Sequence, residues 1–447
     1  MSIRRKTYYI QSLGCAKNLV DSSVLQQLLS RKGFRQVEKP RRAGVIIINT
    51  CAFINDARQE SIEAIQSLIE KKTHDQKIIV AGCLSQRYQE QLFDDFPLID
   101  AIIGTRDLND LGQILDRLSE TDFTRHLSSD FANIPKLVNP GDYYNTLIQG
   151  ASAYLKIADG CHRNCAFCAI PDIKGTLVSR KNDQIIRDAL YLQSQGVKEI
   201  NLIAQDVTAF GLDRPESNAL ATLLKELLPQ IPDVKWLRLL YTYPGMVTKE
   251  LIDLMAADNQ LLPYLDIPLQ HADPAVLRSM NRPSDIAWAH DIIVRMRQKI
   301  PNLVTRTTFI VGYPTETEKS FEELKEFIKK IRFDHVGVFT YSPEIGTPAE
   351  VLADPVPNDV KEHRKAELMA LQEKIAFEKS QSWVGKTYEM LIEGYDLSNK
   401  VIAGRIWRDA PEVDGLVIAE GLPTEDKLSK IKITSATAHD LFGIQLK

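Results

Sequence analysis

All six cysteines of this 447-residue chain stand behind stretches that read as β-strands. Cys15 follows Ile10-Gln11-Ser12-Leu13-Gly14, Cys51 follows Ile47-Ile48-Asn49-Thr50, and Cys83 follows Ile79-Val80-Ala81-Gly82. Cys161, Cys165 and Cys168 come after Ser152–Ile157. In the first segment these strands, with Ala101–Ile103, alternate with helical periods. Asn18–Ser30 carries Val20, Val24, Leu25, Leu28 and Leu29 on one face, and Arg58–Lys72 reads as a second helix. Strands alternating with helices fold as a doubly wound parallel sheet. The C-terminal ends of its strands share one edge, where such folds bind ligands. Cys15, Cys51 and Cys83 are therefore expected to converge there. Three small, inert, buried cysteines are the bland alternative.

Residues 120–148 lose all periodicity and are rich in Ser, Thr, Asn, Asp, Pro and Gly, which marks a break. Six strand candidates follow, separated by helical stretches: Ser152–Ile157, Glu199–Ala204, Trp236–Tyr241, Tyr264–Leu269, Thr305–Val311 and His335–Tyr341. Six βα units are fewer than the eight of a closed TIM-type barrel, so an open, partial barrel is expected. A charged helix over 360–379 leads to short strands with glycine turns at Thr387–Ile392, Val401–Ile406, Leu416–Ala419 and Lys430–Ala436, the pattern of a small β-barrel. The chain is thus α/β overall, in three segments: 5–118, 147–379 and 380–447.

Lys and Arg number 55 against 59 Asp and Glu, a net charge of −4, which excludes a broadly basic nucleic-acid binder. The stretch through Arg42 is locally basic and reads as a solvated face. No run approaches the ~20 apolar residues of a membrane span, and the start has no apolar core of a signal peptide. A cytoplasmic location is expected. Disulfides are rare there, which favours ligand or catalytic roles for the cysteines.

Cys161-His162-Arg163-Asn164-Cys165-Ala166-Phe167-Cys168 is a C-x3-C-x2-C run. Three thiolates so spaced can hold three corners of a [4Fe–4S] cube, where four are usual. The open iron can be chelated by S-adenosylmethionine, whose reductive cleavage yields a 5′-deoxyadenosyl radical. The alternative is a zinc site closed by His162, although zinc ligands usually come as two separated pairs. The other barrel strands end in Gln205-Asp206, Tyr241, Gln270-His271, Gly312 and Tyr341-Ser342-Pro343-Glu344, on the rim where such barrels do chemistry. Asp206 and Glu344 are candidates for the ribose or amino group of S-adenosylmethionine, with Gln205 beside them. Gly312 can admit a ligand close to the backbone or make a plain turn. His271 and Arg306 read as structural.

The sequence resembles the radical S-adenosylmethionine methylthiotransferases along essentially its whole length. The residues that carry this are Ser12-Leu13-Gly14-Cys15-Ala16-Lys17-Asn18 with Val20-Asp21-Ser22, Asn49-Thr50-Cys51-Ala52-Phe53, Ala81-Gly82-Cys83-Leu84, the C-x3-C-x2-C run, Asp266-Ile267-Pro268-Leu269-Gln270-His271 and Tyr341-Ser342-Pro343-Glu344 with Gly346-Thr347. The resemblance implies a methylthiotransferase N-terminal domain over 5–118, a radical core over 147–379 and a TRAM barrel over 380–447. It implies two [4Fe–4S] clusters, one on Cys15, Cys51 and Cys83, the other on Cys161, Cys165 and Cys168. One S-adenosylmethionine would supply the radical and another the methyl group. An electron donor of flavodoxin or ferredoxin type and a sulfur donor are implied as partners.

The family has tRNA-modifying and protein-modifying branches. From Gln381 onward, eight Lys and Arg face ten Asp and Glu, a net charge of −2. An acidic barrel suits a basic protein loop better than phosphates. Arg405 with Arg408-Asp409-Ala410-Pro411-Glu412-Val413-Asp414-Gly415 resembles the branch that methylthiolates the β-carbon of an aspartate in ribosomal protein S12. Glu412 and Asp414 are the residues expected to steer that substrate, and direct nucleic-acid binding is not expected. A tRNA adenosine methylthiotransferase and a non-catalytic Fe–S electron carrier are the competing readings.

Overall fold

The computed structural model describes residues 6–106, 108–118, 126–127, 143–215, 218–353 and 355–446. Most of the predicted break, 120–125 and 128–142, lies outside them, as do residues 5 and 447 at the ends of the predicted segments.

The first segment forms a parallel sheet of β1 (Thr7–Ser12), β2 (Arg35–Gln36), β3 (Val45–Thr50), β4 (Lys77–Gly82), β5 (Ala101–Gly104) and β6 (His126–Leu127), in the order β2-β1-β3-β4-β5-β6. Its register brings Ser12 beside Asn49 and Thr50 beside Gly82, so the three cysteine-bearing turns leave the sheet at one level. β3 is buried at every position, as a strand covered on both faces must be. Helix α1 (Ala16–Arg31) buries the predicted apolar face and also Asn18, Asp21 and Ser22. Helices α2 (Asn55–Glu70) and α3 (Cys83–Tyr88) follow β3 and β4.

The central segment opens with an unforeseen antiparallel pair, β7 (Thr146–Gln149) and β8 (Ser152–Lys156). A two-strand ladder of β9 (Ala158–Asp159) and β10 (Val178–Ser179) brackets the cysteine loop. The remaining strands are β11 (Glu199–Ile203), β12 (Trp236–Leu239), β13 (Tyr264–Asp266), β14 (Val304–Val311) and β15 (His335–Thr340). They form two sheets, β12-β11-β8-β7 and β13-β14-β15, bridged at Leu237–Leu261. All six predicted strands are present, and the barrel is open as expected.

Helix Asn358–Gln381 lies against β15. Leu368 and Ile375 are buried, but so are Lys361, Arg364 and Gln372. Arg364 bonds Glu316 at 3.2 Å, and Gln372 donates to the Phe333 carbonyl at 3.0 Å, which lets a polar helix face be covered. The last segment closes a barrel of β16 (Thr387–Asp396), β17 (Val401–Ile406), β18 (Val417–Glu420), β19 (Leu428–Ala436) and β20 (Leu441–Gln445), one strand more than the periodicity predicts.

This small barrel plugs the N-terminal ends of the core strands. Arg405 bonds Glu199 at the start of β11, and Asp414 accepts from the Tyr264 hydroxyl, at the start of β13, at 2.6 Å. Asp414 also pairs with Arg306 and His335, each at 3.4 Å, and its side chain is 1% exposed. The expectation that Asp414 steers substrate is therefore corrected: it is a docking residue, sealed between domains. Glu412 is exposed, yet it accepts from Gln149 at 2.9 Å and Tyr154 at 3.4 Å, at the mouth opposite the cysteine loop. Arg306 is structural, as predicted.

Candidate active site

The first cysteine triad is assembled by backbone geometry at the sheet edge. Gly14 has φ +86°, and a Cβ there would stand 2.7 Å from the Cys51 Cβ and 2.9 Å from its sulfur. Gly82 has φ +98°, and a Cβ would meet the Asn49 side chain and the Thr50 carbonyl at 2.4 Å. Only glycine allows such an approach in this backbone region. Asn18 ties the three turns together. Its amide donates to the Thr50 carbonyl at 2.8 Å and to Leu13 at 3.2 Å, and its oxygen accepts from the Cys83 thiol at 3.5 Å. Ser61 of α2 pins Cys51 through both its N–H and its carbonyl.

Burial pushes the Cys83 thiol up to about 12 and also raises Cys51. Burial would raise Cys15 too, but Lys17, the Asn18 N–H and Lys174 outweigh it and the thiol is lowered. Metal ligation takes the thiolate and releases the proton, so burial opposes it at Cys83 and Cys51 while the neighbouring lysines favour it.

The second triad sits between β9 and β10. Gly160, at φ +73°, packs so closely that a Cβ would collide with the Thr176 carbonyl. The Arg163 N–H donates to the Cys161 sulfur at 3.4 Å, and Arg282 donates to the Cys165 sulfur at 3.7 Å. Burial raises Cys161 to about 11 and Cys168 to about 12. His162 is exposed and turned to solvent, which removes the proposed fourth zinc ligand. Three thiols, two of them with N–H···S support, offer donors for three corners of a cube, and no fourth ligand stands with them among the described residues.

The two triads are joined by a network that sequence reasoning missed. Lys156 of β8 pairs with Asp21 and with Asp159, the latter at 2.8 Å. Lys174 closes the helix Ile170–Lys174 behind Cys168 and bonds Asp21 at 2.8 Å. All four side chains are at most 6% exposed. Burial alone would lower both lysines, but Asp159 and Asp21 hold them above the ordinary lysine range. Lys174 also acts electrostatically on Cys15, Cys51 and Cys83. The available signal was Asp21 itself, a carboxylate on a helix otherwise buried by its apolar residues.

The predicted ligand-binding residues of the rim fare differently. Asp206 caps the turn Val207–Ala209 and pairs with Arg163 at 3.1 Å, so it braces the cysteine loop. Gln205 donates to Asp159 at 2.9 Å, and its carbonyl oxygen is buried with no hydrogen-bond partner among the described residues. Glu344 pairs with Arg87 of α3 at 2.8 Å, while its second oxygen is likewise buried and unpartnered. Gly312 is corrected: its open side is filled by the Lys361 stem, 2.2 Å from where a Cβ would be, rather than left open to a ligand. His271 is fully buried and structural, accepting from the Asp273 N–H at 2.9 Å.

Comparison with known proteins agrees with this division. Residues 7–104 match the Uncharacterized protein family UPF0004, 155–328 the Radical SAM superfamily and 384–445 the TRAM domain. Among solved structures, the radical S-adenosylmethionine methyltransferase TsrM from Kitasatospora setae aligns with a TM-score of 0.56 at 14% identity, covering 78% of this chain and 77% of that one. That likeness speaks for the fold alone. The chain is a radical SAM enzyme, a class that implies a [4Fe–4S] cluster and S-adenosylmethionine.

Relatives narrow the class. The ribosomal protein uS12 methylthiotransferase RimO of Aquifex aeolicus is 44% identical over 97% of this chain and 96% of its own length. Those of Crocosphaera subtropica and a Thermoanaerobacter species are 40% and 41% identical over 98% of this chain and 99% of theirs. The chain belongs to the RimO family of methylthiotransferases.

Proposed function

We propose that this enzyme methylthiolates the β-carbon of an aspartate in ribosomal protein uS12. The observation that carries the reading is Lys174, which closes the helix behind Cys168 and bonds Asp21 at 2.8 Å on the helix that Cys15 caps. Radical generation and sulfur delivery would thus share one interior.

In this reading Cys161, Cys165 and Cys168 hold the [4Fe–4S] cluster that binds S-adenosylmethionine, and Cys15, Cys51 and Cys83 hold a second cluster. When bound, the clusters supply one-electron cleavage of S-adenosylmethionine and a site for sulfur. The protein orients and shields them. Arg163, braced by Asp206, and Arg282 stabilise thiolate charge through N–H···S contacts. The free oxygens of Gln205 and Glu344 are acceptors available to S-adenosylmethionine. The functional segments are those drawn from the sequence: 5–118 for sulfur, 147–379 for the radical, and 380–447 as the docked barrel.

A flavodoxin- or ferredoxin-type reductant and a separate sulfur donor would complete turnover in the cytoplasm. Among the described residues no helix is long and apolar enough to cross a membrane. Mass spectrometry of uS12 from a strain lacking the gene is the test. Loss of the methylthio group from one aspartate is expected. Loss of methylthioadenosine from tRNA instead, with uS12 unchanged, would overturn the reading.

A further inference from the structure

The cations around the two triads are almost all committed. Lys156 and Lys174 bind Asp21 and Asp159, Arg163 binds Asp206, Arg87 binds Glu344, and Arg306 binds Asp266 and Asp414. Arg238 and Arg405 share Glu199, and Arg282 donates to the Pro268 carbonyl and the Cys165 sulfur. Lys17 differs. Among the described residues it has no ion pair; its ammonium lies over the Tyr241 ring, 3.4 Å from the centroid. It sits two residues behind Cys15, on the first turn of α1, a turn with no acidic residue and no side-chain cap. The ammonium favours an anion, while the Lys17 and Asn18 N–H groups of that turn already serve the Cys15 sulfur.

Tyr241 is held for this purpose at a cost. Its φ is +63°, a region a bulky residue occupies only when its surroundings impose it. Here the Asp266 carboxylate accepts the Tyr241 N–H at 2.8 Å, and the Tyr241 carbonyl accepts from Val207 at 3.0 Å. These bonds fix the ring at the C-terminal end of β12, on the same rim as the cysteine loop. An aromatic face supports an ammonium without neutralising it, so Lys17, which also acts on the Cys15 sulfur two residues away, still attracts a further anion.

We propose that Lys17 binds the side-chain carboxylate of the substrate aspartate, with Tyr241 as its positioning residue. The inference rests on the proposed reaction at an aspartate β-carbon. An ion pair to the carboxylate anchors the atom next to the reacting carbon and leaves its C–H bonds free. It also predicts selection of aspartate over asparagine, because an uncharged amide cannot replace a carboxylate at a half-buried ammonium with no ion pair among the described residues.

The test uses the reconstituted holoenzyme with recombinant uS12 and with uS12 carrying Asn at the target aspartate. Binding is read by anisotropy of labelled uS12, and KM for methylthiolation is read separately. Wild-type enzyme should bind the aspartate form about ten- to a hundredfold more tightly, the range for losing one charged hydrogen bond. Lys17→Met and Lys17→Gln should each erase that preference and raise KM for uS12 by a similar factor, with Lys17→Arg restoring part of it. Iron content is measured for each variant. Equal binding of the two substrates by wild-type enzyme overturns the inference whatever the variants do. So does an iron-replete Lys17→Met enzyme that keeps the preference. Failure of wild-type enzyme to modify uS12 at all would instead sink the proposed function, and this inference with it.

Discussion

Arg405 of the small barrel grips Glu199 of the core through two buried contacts, Nη2 to Oε2 at 2.6 Å and Nη1 to Oε1 at 3.2 Å. Arg238 holds the same carboxylate from the other side at 2.9 Å. Removing one partner of a buried pair strands the other, so Arg405→Met should destabilise the protein by about 3 kcal/mol. In a double-mutant cycle with Glu199→Gln the two losses should be far from additive. Urea denaturation with a fluorescence readout measures both.

The same site sets an acid limit. Burial would raise Glu199, but Arg405 and Arg238 hold it at about 2 rather than 4.5. A carboxyl lowered on folding stabilises the protein fully above its unfolded value and loses that contribution as pH falls through its folded one. The contribution is about 3 kcal/mol. Between pH 4.5 and 2, Glu199→Gln should therefore show a shallower fall of Tm with pH than wild type. Equal slopes would reject the assignment.

Two cubane clusters predict roughly eight irons per chain after anaerobic reconstitution. Replacing Cys161, Cys165 and Cys168 by alanine should leave about half, and so should replacing Cys15, Cys51 and Cys83. Full iron in the second triple variant would refute the sheet-edge site.

Gly14→Ala offers a gentler probe of that site. The added methyl meets the Cys51 sulfur in a backbone conformation that disfavours it. Iron should drop by about half, while reductive cleavage of S-adenosylmethionine persists at the other cluster. Cys51→Ala should behave alike, forming 5′-deoxyadenosine without methylthio product, whereas Cys165→Ala should form neither.

Asp414 and Glu412 are two residues apart, yet their substitution should differ in kind. Asp414→Ala leaves Arg306 and His335 facing an empty space inside the interface and should cost about 3 kcal/mol. Glu412→Ala removes exposed contacts and should cost less than about 1 kcal/mol. Chemical denaturation of both variants checks the contrast.

Period and spacing revealed β1, β3, β4 and β5 of the first sheet, six strands of the core and the cysteines behind them, because a buried parallel strand and a thiol ligand each leave a local mark. Asp414 shows where that stops. Its charge suggested a solvent role, but Tyr264, Arg306 and His335 come from three distant strands that no local pattern brings together. Gly312 fails similarly: the turn was legible, but the Lys361 side chain that fills it was not. β20 was missed because Leu441–Gln445 is only five residues, is broken by Gly443, and is paired only by barrel closure.

Asp21 lies six residues behind Cys15, and Lys174 six behind Cys168. In the ring they form with Lys156 and Asp159, the sheet supplies one negative charge, and the core supplies two positive charges and one negative. Neither half is electrically complete by itself. Severed, the sheet would keep a lone carboxylate on a face evolved for dryness, and the core would keep a surplus ammonium beside its cluster loop. Covalent continuity between the halves therefore has a physical rationale. Each is the other's counter-ion, and a chain cut between them must rediscover its partner at every folding event before either cysteine triad has its proper surroundings.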